Sequence, residues 1–338
     1  MIHAGPQVGY GPADIYVSTE TTGAYVSDTF DITSSLSMTV GARYNLNYVD
    51  MKDQTGLNPQ LTGSHRFSRV NPAINFAYRA ANSTWFVGYS ETNRSPTPLE
   101  LGCSDPTRPC LLENSLVSDP PLQQVVAKTF EVGVRGGAPA AGGLVSWSAS
   151  AFTTTNDDDI VALASNLNGR GYYANVPKTR RSGFEGQLRY DTQTWGMFVN
   201  VANVEAEYRF DGQLASPNNP VANGAGNITV QQGDRLGGVP PWRVKFGAQA
   251  TLFGKLTLAA DAQATSAQYL VGDEGNDNEK LHSYLVGNVR ADFAFSDKVS
   301  LFARVSNITD ERYATYGTYF EAEAVQKVRP QPLPVDAE

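Results

Sequence analysis

Residues Leu36 to Tyr48 alternate without a break. Leu36, Met38, Val40, Ala42, Tyr44, Leu46 and Tyr48 fall on one side of an extended chain, and Ser37, Thr39, Gly41, Arg43, Asn45 and Asn47 on the other, because successive strand side chains point to opposite faces. The pattern returns later. Val244, Phe246, Ala248, Ala250 and Leu252 oppose Lys245, Gln249 and Thr251. Gly287, Val289, Ala291, Phe293 and Phe295 oppose Asn288, Arg290 and Asp292. A sheet with lipid on one side and water on the other requires this arrangement, since charge is tolerated in a wet lumen and costly in hydrocarbon. Over 195–210 the alternation is irregular and assigns no faces.

Composition agrees with strands rather than helices as the crossing elements. No run approaches the ~18 apolar residues of a membrane helix. The mean hydropathy of −0.32 is what a barrel with a polar lumen face gives. A net charge of −8 argues against a nucleic-acid partner, which calls for a basic face. Charged residues are only 18% of the chain, low for a water-facing surface, and its 16 tyrosines suit a membrane–water boundary. The start, MIHAGPQVGYGPADIYV, has neither the basic beginning nor the apolar core of a signal peptide, and reads as a miscalled start or a fragment.

About twelve strands are expected, in hairpins: 24–30 with 36–48, 67–79 with 84–94, 128–135 with 144–155, 183–191 with 195–210, 244–252 with 256–269, and 284–295 with 298–307. Turns within pairs are short (AANS, DTQT, FGK, SD). Connections between pairs are long and rich in Pro, Asn, Asp and Gly: 54–63, 95–126, 156–179, 211–241 and 272–282. Short turns on one side and long loops on the other mark outer-membrane barrels. The fold class expected is therefore all-β, an antiparallel up-and-down transmembrane β-barrel, partial, with residues 1–320 in the barrel. Residues 321–338 hold three prolines and no alternation, and are expected to be a disordered or aberrant tail.

The stretch NPAINFAYRAANSTWFVGYSETNRSPTPLELGCSDPTRPC, followed by VSDPPLQQVVAKTFEVGVRG, resembles the mid-barrel of TonB-dependent outer-membrane receptors, as does NDDDIVALAS with GYYANVPKTRRSGFEGQLRY. LFARVSNITDERYATYGTYF resembles that family's penultimate strand and last outer loop. The resemblance covers most of 25–320. It implies an outer-membrane location and a barrel of about 22 strands filled by an amino-terminal plug. Its implied partners are outer-membrane lipid, a small-molecule ligand and, in the intact parent, the TonB energy-transducing complex, which pulls on a short box in the plug. Against that plan the chain reads as lacking plug, box and closing aromatic strand. It would hold roughly the tenth to twenty-first strands by hairpin phasing.

Several residues are candidates for a ligand site. Glu91, Asn93 and Arg94 lie where a strand leaves the membrane; they would meet a ligand or simply pair with one another. Asp157, Asp158 and Asp159 sit just beyond a strand. Clustered carboxylates suit Ca²⁺, but no glycine turn or second cluster supports a calcium loop, so a solvated loop end is the plainer reading. Lys178, Arg180 and Arg181 offer cations to ligand anions or surface phosphates, or form a plain charged rim. Tyr172, Tyr173, Tyr313, Tyr316, Tyr319 and Phe320 would line a mouth or form an aromatic girdle. Cys103 and Cys110, in CSDPTRPC, are read first as a local disulfide, which implies an oxidising compartment. A metal site would need further Cys or His ligands, and free thiols are the third alternative. GGAPAAGG reads as a flexible turn and lacks the Lys and Ser/Thr of a phosphate loop. No G-x-S-x-G or H-E-x-x-H appears, so neither an enzyme nor a cofactor is expected.

Three functions compete. The chain is a piece of an active-uptake receptor for a siderophore-like or other bulky nutrient, not competent alone. Alternatively it is a self-contained passive pore of about twelve strands, or a soluble β-protein that binds polysaccharide.

Overall fold

A computed structural model describes residues 14–106, 110–111, 122–165 and 170–319. The strands are β1 (Ile15–Asp31), β2 (Leu36–Asp53), β3 (Gly63–Ala80), β4 (Ser83–Arg94), β5 (Cys110–Leu111), β6 (Val125–Ala140), β7 (Gly143–Ala164), β8 (Arg170–Asp191), β9 (Trp195–Tyr208), β10 (Gly212–Ala215), β11 (Asn227–Val230), β12 (Trp242–Leu252), β13 (Leu256–Thr265), β14 (Tyr284–Ser296) and β15 (Val299–Val305). A short α-helix, α1, spans Pro98–Gly102, and a 3₁₀ turn spans Pro59–Leu61. The main sheet runs β1-β2-β3-β4-β6-β7-β8-β9-β12-β13-β14-β15, with β5 attached to β8, and β10-β11 form a separate pair. Neighbours along the path are antiparallel and follow chain order, so the sheet is a meander. All twelve expected strands are present. β1 and β15 are its two edges and do not pair with each other, so the sheet is open, as a partial barrel is. The alternative of a closed twelve-strand pore lacks that ladder. The expected tail 321–338, with Phe320, lies outside the described residues.

Register makes the two faces visible residue by residue. Directly paired residues share a face. Leu36, Tyr78, Trp85, Val134, Ala149, Gly186, Val201, Val244, Ala264 and Leu285 form one continuous row across ten strands with no polar side chain in it. One residue along, Arg79, Thr84, Arg135, Ser148, Gln187, Asn200, Lys245 and Gln263 form a row with no apolar one. The irregular 195–210 stretch is thereby resolved: Val199 and Val201 join the apolar face, Asn200 the polar one. Trp85, Phe130, Leu188, Met197 and Phe246 on the apolar face are each about half exposed. In water these would form one large apolar patch, which disfavours the soluble alternative; in a bilayer they meet acyl chains.

The turns at the short-loop end are tight. Ala141 and Gly142 both have positive φ (46° and 79°), the geometry of a two-residue hairpin whose twist matches the strands; Phe253 and Gly254 (54° and 65°) do so within a three-residue connection, since Leu252 pairs with Leu256. The GGAPAAGG stretch is accordingly not a flexible turn. β6 runs to Ala140 and β7 starts at Gly143, leaving two residues to reverse the chain.

At the long-loop end the strands outrun the membrane. Roughly 9–11 tilted residues cross the hydrocarbon, whereas β7 and β8 have 22 each. The expected loop 156–179 is therefore mostly strand. In its outer part both faces are apolar. Val161, Leu163, Tyr172, Ala174 and Val176 pack with Tyr208 and with Leu214 and Val230 of β10-β11. Ile160 and Tyr173, on the other side, pack with Val49, Met51, Phe67 and Leu101. β3 and β7 are separated in the sheet by β4 and β6, about 14 Å at the usual strand spacing. Phe67 and Ile160 pack against one cluster because the β7-β8 hairpin leans over the polar side. The hairpin thus stands over the mouth of the polar face.

Candidate functional site

Pro72 opens the site. The β3-β4 ladder runs from the turn to Ala73↔Ser90 and stops there, whereas β4 continues to pair with β6 as far as Arg94. Pro72 has no N–H to give a ladder. Beyond it, side chains replace backbone bonds between the two strands. Asn93 Oδ1 accepts from Asn45 Nδ2 (2.9 Å) and Asn71 Nδ2 (2.7 Å). Asn93 Nδ2 donates to Gln124 Oε1 (2.9 Å), and Gln124 Nε2 donates to the Ser68 carbonyl (3.1 Å). Asn47 Nδ2 donates to Ser95 Oγ (3.0 Å). Arg69 pairs with Glu91, whose other oxygen accepts from Tyr89 Oη (2.7 Å).

α1 follows directly after the β4 residues of this amide cluster. Pro96 and Pro98 end β4, Thr97 accepts from the Glu100 amide and Glu100 reaches back to the Thr97 amide, a capping box. Arg94 pairs with the same Glu100 (2.7 Å). Leu101, fully buried, anchors the turn in the cluster with Val49 and Met51, and the Cys103 carbonyl accepts from the Tyr173 amide (2.7 Å). Cys103 is disulfide-bonded. Cys110 pairs through its backbone with Gly171; its side chain lies outside the described residues.

Of the residues singled out from the sequence, Glu91 and Asn93 are at this opening, while Arg94 serves the helix cap. The aspartate run is not a solvated loop end. It lies within β7, and its members separate. Asp158 has φ 53°, a left-handed conformation that breaks the alternation. Asp157 stands between Lys128 (2.8 Å) and Lys178 (3.4 Å). Asp159 is 6% exposed and accepts from Thr179 Oγ1, Arg181 Nη1 (3.1 Å) and Asn156 Nδ2 (3.3 Å). The three carboxylates share no centre, and among the described residues no group of His, Cys, Asp or Glu could hold a metal. Tyr172 and Tyr173 are half-buried in opposite clusters, so they form neither one mouth lining nor a girdle. Tyr313 stacks on Tyr284, centroids 4.3 Å apart, and Tyr316 is exposed. Tyr319 lies beside Gly272.

Arg69, Asn45, Asn47, Asn71 and Gln124 were not singled out from the sequence. Asn45 and Asn47 carried a signal, being on the polar side of the first alternating strand. Gln124 carried none.

The cluster can hydrogen-bond without offering a strong net charge. Asn47 Oδ1, Asn71 Oδ1 and Arg69 Nε are buried with no hydrogen-bond partner, so acceptors and a donor remain unspent where buried polar atoms are normally satisfied. Further down the polar face a cavity of about 670 Å³ is lined by Arg135, Glu185, Gln187, Asn200, Arg243, Lys245 and Gln263. It gives the mouth a polar wall toward the short turns.

Comparison with known proteins agrees with this architecture. The family model for the TonB dependent receptor-like β-barrel matches residues 3–308. Among solved structures, the siderophore receptor PiuA from Acinetobacter baumannii superposes with a TM-score of 0.69 at 19% identity, covering 91% of this chain and 42% of its own. The copper transporter OprC gives 0.68 at 17%, covering 89% and 43%. The ferric-catecholate import receptor Fiu from E. coli K12 gives 0.66 at 15%, covering 91% and 43%. At these identities the likeness is one of fold, and the chain spans less than half the length of each. The chain belongs to the TonB-dependent receptor β-barrel family.

Proposed function

We propose that this chain is the carboxy-terminal part of the barrel of an outer-membrane receptor that takes up a siderophore-like or other bulky, polar nutrient, with residues 1–320 as barrel. The observation that carries the reading is the amide cluster at the β3-β4 opening, with buried, unspent hydrogen-bonding atoms on Asn47, Asn71 and Arg69, at the mouth of a polar face. A ligand rich in hydroxyls, carbonyls or hydroxamates fits such amides, which donate and accept equally. The names of the structural neighbours, two of them iron-chelate receptors and one a copper transporter, support that ligand class. In the intact receptor the TonB complex would supply the energy for passage. No catalytic step enters.

The test uses the whole receptor containing this chain, in detergent, with a panel of ferric siderophores and Trp fluorescence as readout. We expect saturable quenching by one of them, weakened at least about tenfold, or ~1.4 kcal/mol, by Asn71→Ala with Asn93→Ala. Quenching that is unchanged by those substitutions contradicts the site; conductance through the chain alone, with no ligand bound by the whole receptor, favours a passive pore.

A further inference from the structure

The apolar face does not stay apolar to the top of the strands. Its rows can be followed upward from the short turns, two residues or roughly 6.7 Å at a time. Gly136, Trp147, Leu188, Val199 and Phe246 make one row. Higher up comes Val132, Ala151, Phe184, Asn203 and Trp242, then Phe130, Thr153, Ser182 and Glu205, and then Lys128, Thr155, Arg180 and Glu207. Above these Asp157 pairs with Lys178, and the Arg209 amide bonds the Lys178 carbonyl. Phe130, Phe184 and Trp242 are the last large apolar groups, and a ring contact of 5.4 Å joins the latter two.

The charges above them do not balance. Lys128 and Lys178 share one carboxylate, Asp157. Arg180 and Arg209 share another, Glu207, at 2.8 and 3.6 Å. Glu205 is engaged by Arg235 (3.1 Å), and Glu91, directly opposite Lys128 in the ladder, by Arg69. With those pairs counted, Lys128, Lys178, Arg180 and Arg209 still leave two positive charges in excess, in a chain whose net charge is −8. All four side chains remain between 29% and 47% exposed, so an incoming anion can reach them.

We propose that Lys128, Lys178, Arg180 and Arg209 form a binding patch for the phosphates of a lipid headgroup, on the outward face where the hydrocarbon ends. The inference rests on the membrane-spanning reading of the sheet. Guanidinium forks match phosphate oxygens bidentately and ammonium groups act as point charges. The patch spans β6 to β9, three strand spacings or about 14 Å, wide enough for a head carrying two phosphates. The phosphates complete the half-satisfied cations while the acyl chains lie on Phe130, Phe184 and Trp242.

The test is native mass spectrometry of the full chain in detergent with a diphosphorylated disaccharide lipid, its dephosphorylated form and inorganic phosphate. Expected is retention of the diphosphorylated lipid alone, reduced at least about tenfold by K178Q/R180Q, weakened by salt, and strengthened by D157N/E207Q. Misfolding cannot mimic that gain. The short-turn variant K255Q should leave lipid retention unchanged. Equal retention of the dephosphorylated lipid, retention indifferent to both double variants, or displacement by inorganic phosphate at the lipid's own concentration overturns the proposal. Insertion of the whole receptor containing this chain into purely phosphatidylcholine bilayers is measured in parallel. Failure there sinks the membrane reading itself, whereas insertion without headgroup selectivity sinks only the patch.

Discussion

The β12-β13 hairpin and the outer half of the β7-β8 hairpin are both antiparallel and both strand throughout, yet they are held differently. In β12-β13 one face is apolar and open, and the other carries Lys245, Gln249 and Gln263. Its stability depends on the solvent matching each face, lipid on one side and water on the other. In the outer half of β7-β8 both faces are covered by protein, one by β10-β11 and the other by β2, β3 and α1. That region is held as a soluble domain is held, by burial. One chain thus uses two solvents, and Asp158 marks the change by sending Asp157 to the outward face and Asp159 to the inward one.

The largest effect separating the two regions should come from Phe246→Arg. The residue lies within the apolar band, where an arginine costs about 2–4 kcal/mol near the midplane. We expect bilayer insertion, read by protease protection, to fall sharply, with the same substitution at Lys245 harmless. Next is Leu101→Ala, which removes a fully buried anchor of the mouth at about 2–5 kcal/mol. Hydrogen exchange at the Tyr173 amide should accelerate while β12-β13 amides keep their protection. Asp159→Ala strips Thr179 and Arg181 of their acceptor and should cost about 1–3 kcal/mol, again confined to the outer half.

The smallest effect concerns pH. Glu274, in the outer loop before β14, is 5% exposed, with one oxygen bonded to the Gly272 amide and Oε2 buried without a partner. Burial, chiefly, and then the charge of Asp273 push its carboxyl above the usual range. The folded loop therefore holds the proton more tightly than the unfolded chain, so its contribution is fully present below the ordinary carboxylate pKa and is lost as pH rises through the raised one. Glu274→Gln should flatten the pH dependence of hydrogen exchange across 266–281 and leave the loop more protected at neutral pH. An unaltered pH profile would count against that assignment.

How much was legible in the sequence follows the same division. Where one face meets lipid and the other water, period two is forced on the residues, and with the short turns it places the twelve strands, the irregular 195–210 stretch resting on its turn alone. In the outer half of β7-β8 the alternation vanishes because both faces are buried, and Asn156 with three aspartates looks like a turn. The strand there is fixed by tertiary contacts with Tyr208, Val230 and Leu101, which no local window contains. The mouth site was half legible. Glu91 and Asn93 stood at a strand end, but their partners Asn45, Asn71 and Gln124 lie 22–48 positions away and meet them only because Pro72 ends a ladder.

The most direct test is a nitroxide scan of residues 243–251 and 159–163 in bilayers, comparing relaxation by oxygen with relaxation by a water-soluble nickel chelate. The account predicts oxygen maxima at Val244, Phe246, Ala248 and Ala250, chelate maxima at Lys245, Gly247 and Gln249, and low accessibility to both, without alternation, over 159–163. A flat or inverted profile over 243–251 would contradict the lipid-facing assignment and, with it, the barrel reading of this chain.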